Sequence, residues 1–471
     1  MHTSTPVAII GGGITGLSTA WYLQQAGIDY TLLEQSNRLG GKVQSDHIDH
    51  PAGNFLVERA ADAFLAVQKP WAVDLAREIG LEDELLPANE ERRRVFVLKD
   101  GEPVLLPKGL NLIVPGDMET FLDSPLISEA GKKRVQKEIS IPPRLEEGDE
   151  SVSAFVRRRM GDEVLTRLAD PLICGIYNAH PDEQSMLATF PRFVQMEKKY
   201  GSLTKGMAVA TEEAAKRVKA NPGKRFVFTS FKGGTEVLTK TLAIHLQASS
   251  QGQISLNTAV QRMTHHQKGY QLHLASGEII SAKHVVMTAP PPATATIVQE
   301  MLPAISTQLA TFRAVSTGTI TFAFRRDEID HPLDGFGMVI PRVEQRPINS
   351  MTWASSKFNL RAPDGYALLR VFFGGTRNPE IMSQPDEMIR ATARTELRKL
   401  MGIDATPIFD RVNRWMNAQP QYDVGHVERV NTMRAGLPDN LYLAGGFYGG
   451  VGIPDCVRQG KDAANMIMGS E

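Results

Sequence analysis

The chain has 471 residues, too many for one ordinary hydrophobic core, so two or three lobes are expected. Hydrophobic residues make up 42% and charged residues 22%, and 52 Lys plus Arg face 53 Asp plus Glu, a balance that points away from nucleic acid as a partner. Two cysteines, Cys174 and Cys456, are too few for a disulfide framework or a cysteine-based metal site, and no stretch approaches the ~18 apolar residues of a membrane span. Sparse cysteine fits a reducing compartment, so a cytoplasmic location is expected.

In chain order, Val7-Ala8-Ile9-Ile10 reads as a buried parallel strand, too short for a signal-peptide core. Gly11-Gly12-Gly13-Ile14-Thr15-Gly16 follows at once, then a helical pattern from Leu17 to Ala26 that Gly27 ends. Tyr30 to Leu33 reads as a second strand, with Glu34 at its end. Gly11 permits the tight turn, Gly13 lets the backbone approach a pyrophosphate, and Gly16 lets the helix pack on the strand. Helix N–H groups would hold the phosphate charge, and Glu34, 18 residues after Gly16, would accept from a ribose hydroxyl. This ordered set marks a dinucleotide-binding half.

The run Arg92-Arg93-Arg94 follows Glu90 and Glu91 and reads as a solvated face. Residues near 85–215 are rich in helical pattern, for example Ser151 to Leu168. Phe226 to Phe228, Gly233-Gly234 and an amphipathic run to Leu246 suggest strand, turn and helix. Ile254 to Asn257 with Ala259-Val260, a hairpin from Tyr270 through Gly277 to Ile280, and His284 to Pro290 read as further strands. His265 and His266 are adjacent, so they would not share one strand face, and they read as surface residues. Between 295 and 410, strands at Thr317–Phe324 and Tyr366–Phe373 accompany a helix near Glu387 to Leu400. Pro142-Pro143 and Pro290-Pro291-Pro292 mark expected linker points. Finally, Leu441 to Gly446 is a strand entering glycines, and Gly449 to Asp455 precedes a helical run from Cys456 to Met468.

Arg38-Leu39-Gly40-Gly41-Lys42 resembles the extension found in the flavoprotein group of amine oxidases, phytoene desaturases and porphyrinogen oxidases, where it helps cradle the FAD pyrophosphate. The carboxy-terminal glycine loop resembles that group's closing FAD segment, which implies a cofactor contact at Gly445 and an approach of Val451, Gly452 and Ile453 to the flavin ring. The loop carries no cysteine before Asp455, so non-covalent FAD is expected. The resemblance implies cofactor contacts at Gly11, Gly12, Gly13, Ile14, Thr15, Gly16, Leu17, Glu34, Gln35, Arg38, Gly40, Gly41, Lys42, Ala60, Ala61, Asp62, Ala63, Val260 and Trp415 as well. The implied architecture is α/β: a discontinuous Rossmann-type FAD-binding domain (1–84, 216–294 and 411–471), a largely helical insertion facing substrate or membrane (85–215), and a mixed-sheet substrate domain (295–410).

Across its length the chain resembles the bacterial porphyrinogen oxidases. The segments that carry this are Val57-Glu58-Arg59 with Ala60 to Leu65, Leu106 to Gly109, Asp170-Pro171-Leu172, Gly175-Ile176-Tyr177 and Thr189 to Phe193. Gly335 to Gly337, Trp415, Ala418 to Tyr422 and Val424-Gly425-His426 complete the set. Two places depart from the pattern. Ala60-Ala61 stand where the family has Gly-Pro, which would strain any positive φ there, and Asn178-Ala179-His180 stand where it has Ala-Gly-Asp. The resemblance implies oxidation of coproporphyrinogen III or, as the alternative, protoporphyrinogen IX, with oxygen reoxidising the flavin to give hydrogen peroxide and no metal needed. Four propionates call for basic partners, and Lys69, Arg192, Arg346, Lys357 and Arg361 are candidates; coproporphyrinogen III is favoured. Gly175 and Ile176 are candidate pocket-lining residues, Gly175 matching a family glycine whose carbonyl is associated with proton removal. Implied partners are the porphyrinogen and oxygen, with a downstream ferrochelatase and a peripheral contact on the inner face of the cell membrane as further candidates. Phe447-Tyr448 keep an amine oxidase or carotenoid desaturase open as a rival. A non-enzymatic escort protein of the same fold is a second rival, disfavoured by the closing flavin segment.

Overall fold

A computed structural model of the chain describes residues 2–220, 226–267 and 269–470. The first strand is longer than its apolar run, His2–Ile10, and Val7 to Ile10 are all buried. It pairs in parallel with Tyr30–Leu33 on one side and Ile279–Met287 on the other. Gly252–Ser255 extends the sheet, again in parallel, beyond Tyr30–Leu33. The other edge of Ile279–Met287 is shared: its first half runs antiparallel to Gly269–Leu274, and its last residues pair in parallel with Leu441–Leu443. Val260–His266 pairs antiparallel with Gly269–Leu274.

Side-chain alternation sends Val7 and Ile9 into one core, with Leu17, Ala20, Leu238, Leu242, Val457 and Ala464. Ala8 and Ile10 go to the opposite core, with Met287, Val298, Leu309 and Met433. Helices therefore cover both faces of a largely parallel sheet, the doubly wound arrangement. Helix Ile14–Gln25 lies against the closing helix Ile453–Met468 so closely that a Cβ on Gly460 would sit 2.6 Å from the Thr15 carbonyl oxygen.

A second seven-stranded sheet runs in the order Phe409–Pro420, Ala314–Arg325, Tyr366–Gly374, Ser350–Trp353, Gly337–Val339, Val95–Lys99 and Glu102–Leu105. Helix Asp386–Met401 packs on it through Ile389, Ala393, Leu397 and Leu400. Two strands from the expected helical insertion and one from the expected last FAD segment thus belong to this sheet. The outer ends of the expected ranges, Met1 and Glu471, lie outside the described residues. A separate core around Phe155, Leu168, Phe193 and Leu203 holds the helical region and includes Tyr177 and Tyr422.

Local departures from the expected elements have local causes. The helix expected from Ser151 to Leu168 stops at Arg159, because Gly161 turns the chain with φ +99°. The chain then winds as a π-helix over Leu165–Cys174, with Pro171 inside it; a proline has no N–H to give and disfavours regular α-helix. The strand expected at Phe226–Phe228 is Phe228–Phe231 instead, and Ile254–Asn257 ends at Ser255, since Asn257 takes φ +53°. Pro290 to Pro292 open helix Pro291–Val298 rather than a linker, proline being tolerated in a first turn. His265 and His266 are exposed, and Arg93 and Arg94 are exposed and pair with Glu90 and Asp334.

Candidate active site at the flavin cleft

At the end of the first strand, the Gly11 N–H donates to Leu33 O at 2.8 Å, and Gly11 has φ +111°. A Cβ on Gly16 would lie 2.0 Å from Gly11 O, and one on Gly12 would meet Leu39 and Glu34, so both positions are closed to side chains. Gly13 is different: a Cβ there meets nothing within 4 Å. It caps helix Ile14–Gln25 without a side-chain bond, and the first turn holds no acidic residue. The helix therefore begins with free N–H groups beside open space, which is what an anionic pyrophosphate needs.

The Arg38–Lys42 extension is seated on this turn by its backbone. Gly40 N–H donates to Gly12 O at 2.8 Å, and Gly41, at φ +57°, brings its backbone against Gly13. Arg38 fixes the extension, donating to Gly41 O at 2.7 Å and pairing with Glu236 at 3.2 Å. The Glu34 carboxylate accepts from Gly12 N–H at 2.7 Å and Ser36 N–H at 2.8 Å. Two of its roughly four lone-pair positions stay available for ribose hydroxyls. Thr258 N–H donates to Glu34 O at 2.9 Å, which brings Val260 to the same end; Gln35 is exposed.

The other end of the cleft is drawn together from distant segments. Lys42 Nζ donates to Ala418 O at 2.6 Å. The loop from Arg59 to Ala61 is held by its carbonyls: Trp415 Nε1 donates to Arg59 O at 2.8 Å, Arg370 Nη2 to Ala60 O at 2.6 Å, and Thr235 Oγ1 to Ala61 O at 3.1 Å. Ala60 and Ala61 are not among the residues with positive φ, so the alanines carry none of the strain their positions suggested. Asn178, in the second departure, does take φ +51°, a conformation asparagine tolerates better than most residues. Its side-chain oxygen accepts from Asn349 Nδ2 at 3.3 Å.

Gly445 has φ +130°, and its N–H donates to Gln459 Oε1 at 3.2 Å. Gly452 then caps the closing helix at Ile453, with Val451 and Gly452 half-buried. Gly175 and Ile176 form a helical turn after the π-helix; a Cβ on Gly175 meets nothing within 4 Å, and Ile176 is 51% exposed. Gln419 Nε2 donates to Ile176 O at 3.4 Å, which joins this turn to the strand end that receives Lys42. Phe447 and Tyr448 are buried in the core with Phe312, so they form no exposed aromatic wall. Cys456 is buried in the core under the first helix.

The five candidate carboxylate partners separate by what they already bind. Lys357 pairs with Asp62 at 2.9 Å, and buried Arg361 lies 4.0 Å from Glu58 while donating to Ser230 Oγ at 2.8 Å. Burial alone would raise the Asp62 carboxyl, but Lys357, Arg370 and Arg361 outweigh it and hold the group below its usual range. Burial also pushes Glu58 up, despite hydrogen bonds from Ser45 and Thr235. These charges surround a small cavity of about 10 Å³, room for about one water, lined in part by Glu58, Asp62, Arg361 and Arg370. Lys357 and Arg361 therefore support the loop and are not free for a ligand. Arg346 pairs with Glu396 at 3.6 Å, and Lys69 with Asp455 at 2.6 Å in the first turn of the closing helix. Arg192 alone of the five has no carboxylate partner among the described residues. It donates to Asn111 Oδ1 at 2.6 Å and lies over the Phe193 ring, and burial lowers its pKa.

Arg370 was not anticipated, although the signal was present: an arginine inside the otherwise apolar run Ala367 to Phe373 has to be buried on some face, and buried arginine needs partners. No group of His, Cys, Asp and Glu among the described residues could hold a metal ion, and none of their helices is long and apolar enough to cross a membrane.

A dinucleotide cradle at one end of the cleft, an open turn at the other and a closing glycine loop between them define a flavin-binding oxidoreductase of the doubly wound class. The pattern described as "Flavin containing amine oxidoreductase" matches residues 14–468, and the chain belongs to that family, with FAD as its cofactor. The open space at Gly13 and the uncapped helix start suit the FAD pyrophosphate. The coproporphyrinogen III oxidase of Bacillus subtilis (strain 168) is 33% identical over 468 residues, covering 98% of this chain and 97% of the relative. The coproporphyrinogen III oxidase of Staphylococcus aureus (strain NCTC 8325 / PS 47) is 32% identical over 477 residues, covering 98% of each. A solved structure from Exiguobacterium sp. 255-15, provisionally assigned as a protoporphyrinogen oxidase, matches over all of both chains with a TM-score of 0.84 and 31% identity.

Proposed function

We propose that the chain oxidises coproporphyrinogen III to coproporphyrin III in haem biosynthesis. The observation that carries this reading is the full-length likeness, at 32% and 33% identity, to two proteins of that name. Bound FAD supplies a two-electron acceptor that three rounds of oxygen-dependent turnover would use, three oxygen molecules becoming three of hydrogen peroxide as six hydrogens leave the macrocycle.

The chain's own residues bind and orient. The Gly175–Tyr177 turn, with no side chain on Gly175 and an exposed Ile176, offers an apolar face to the macrocycle. Arg192, held by Asn111 and Phe193 without a carboxylate, would receive a propionate in a charge-assisted pair. Losing one such bond costs about tenfold in binding, so Arg192→Gln is expected to raise KM for coproporphyrinogen III about tenfold with little change in kcat; an unchanged KM removes Arg192 from the site.

The direct test is to purify the protein, record its visible spectrum, and compare kcat/KM for coproporphyrinogen III and protoporphyrinogen IX by product fluorescence in air. A flavin spectrum with coproporphyrinogen preferred supports the proposal. Preference for protoporphyrinogen reverses the substrate, and a flavin protein that oxidises neither overturns the porphyrinogen reading.

A further inference from the structure

The segment Ala418–Tyr422 joins three parts of the cleft: the Arg38–Lys42 extension, the Gly175–Tyr177 turn and the closing glycine loop. Ala418 O receives Lys42, and Gln419 donates to Ile176 O. Gln421 Nε2 donates to Tyr177 O at 2.9 Å, and Tyr422 is 2% exposed. The Tyr422 ring lies between Tyr177, at 5.5 Å, and His426, stacked at 4.2 Å. Its hydroxyl makes two bonds to one loop: it donates to Gly446 O at 2.5 Å and accepts from Gly450 N–H at 2.8 Å.

Gly446 and Gly450 are four residues apart. Their carbonyl and N–H are the pair that would bond directly in a turn of α-helix. Here the phenol oxygen stands between them, and the loop is held open by one inserted atom, as an inserted side chain or water opens a helix ladder. A hydroxyl can do this because it donates and accepts at once. Gly450, at φ +116°, leads straight into Val451, Gly452 and the closing helix.

We propose that Tyr422 is a positioning residue for the flavin: its hydroxyl props open the Gly446–Gly450 turn and so sets where Val451–Ile453 stand. The proposal rests on the reading of Val451–Ile453 as the flavin edge. Without the hydroxyl, the Gly446 carbonyl and the Gly450 N–H are free to bond to each other. The turn then tightens and draws Val451 and Gly452 away, and one backbone bond replaces the two that the phenol made, leaving neither backbone group unpaired. FAD binding suffers, while the apoprotein loses a net single hydrogen bond, the same as Tyr270→Phe loses.

The experiment titrates apoprotein with FAD by flavin fluorescence for wild type, Tyr422→Phe and Tyr270→Phe, and records apoprotein melting for each. Tyr270 is the control, because its hydroxyl also bonds a backbone carbonyl, Asp439 O at 2.5 Å, from a strand flanked by Val260–His266 and Ile279–Met287. The expected result is a Kd for FAD raised about tenfold or more in Tyr422→Phe, unchanged in Tyr270→Phe, with the two variants melting alike. A Kd within twofold of wild type in Tyr422→Phe, or an equal rise in Tyr270→Phe, overturns the proposal. Val451→Lys tests the underlying reading by itself, since a charge at the ring edge must shift the bound-flavin spectrum. If Val451→Lys shifts the spectrum and Tyr422→Phe leaves Kd unchanged, the positioning role fails; if Val451→Lys leaves the spectrum unchanged, the flavin-edge reading fails and takes the proposal with it.

Discussion

A single buried histidine ties the cleft to pH. His426 is 3% exposed, stacked on Tyr422 and set edge-on to Phe312, and its Nε2 has no hydrogen-bond partner. Burial, helped by Arg429 and Arg434 and opposed by Asp423 and Asp149, lowers its pKa from 6.5 to about 4. The folded chain thus keeps this ring neutral where the unfolded chain would protonate it. Its stabilising effect is complete above pH 6.5 and is lost as pH falls from 6.5 to about 4, by about 3 kcal/mol in all. Urea midpoints between pH 8 and 4 are expected to fall more steeply in wild type than in His426→Gln; parallel curves would remove His426 as the cause.

At the same scale, what could be read in advance depended on how local the cause was. The roles of Gly11 and Gly16 follow from a few neighbours, and the structure closes both positions to side chains. The state of Lys357 and Arg361 depended on Asp62 and Glu58, about 300 residues away in the chain, and no spacing rule connects them. A positively charged residue in a suitable region looks the same in a sequence whether it is free or already paired. Arg192 and Arg361 differ only in the company that folding brings.

Among the elements, the π-helix Leu165–Cys174 stands out because it delivers the Gly175–Tyr177 turn. The helical pattern read from Ser151 to Leu168 reaches only its first residues, and apolar periodicity over a few turns does not separate the two windings; Pro171 is the visible hint. Its geometry is held from outside. Asp170, 4% exposed, accepts from Arg342 N–H at 2.6 Å and Arg377 Nη2 at 3.2 Å. Asp170→Asn would remove a buried carboxylate that faces Arg377 and Arg342, and a loss of about 3 kcal/mol is expected from urea unfolding. Asp162→Asn, which breaks the exposed pair with Arg157 nearby, is expected to change little. Equal effects from the two would mean that Asp170 does not brace the segment. The strands were legible where side chains alternate or stay apolar, as in Val7–Ile10 and Tyr366–Phe373, but their partners were not. Nothing in Val95–Lys99 announces that it pairs with Gly337–Val339, because that pairing is long-range and parallel.

Over the whole molecule, the proposed cofactor site draws on both ends of the chain: Gly11–Gly16, Arg38–Lys42, Arg59–Ala61, Trp415–Ala418 and the start of the closing helix are joined by hydrogen bonds around one cleft. FAD bound there favours the folded state by mass action, by about 2.7 kcal/mol at a free concentration one hundred times Kd. Melting followed by far-UV circular dichroism is expected to rise with added FAD, and flavin release should coincide with loss of secondary structure. Flavin release well before the secondary structure melts would show that the site is a local flap and does not unite these segments.

At Ala60 and Ala61 the side-chain donors of the cleft grip the loop through its carbonyl oxygens, the part of a residue that mutation leaves in place. Selection on that loop therefore acts on its path and scarcely on its letters. With alanine at both positions those carbonyls remain held. A lineage drifting at these two positions can look divergent in an alignment while its cleft stays unchanged, whereas the side chains that do the gripping, Arg370, Trp415 and Thr235, are where drift would be costly.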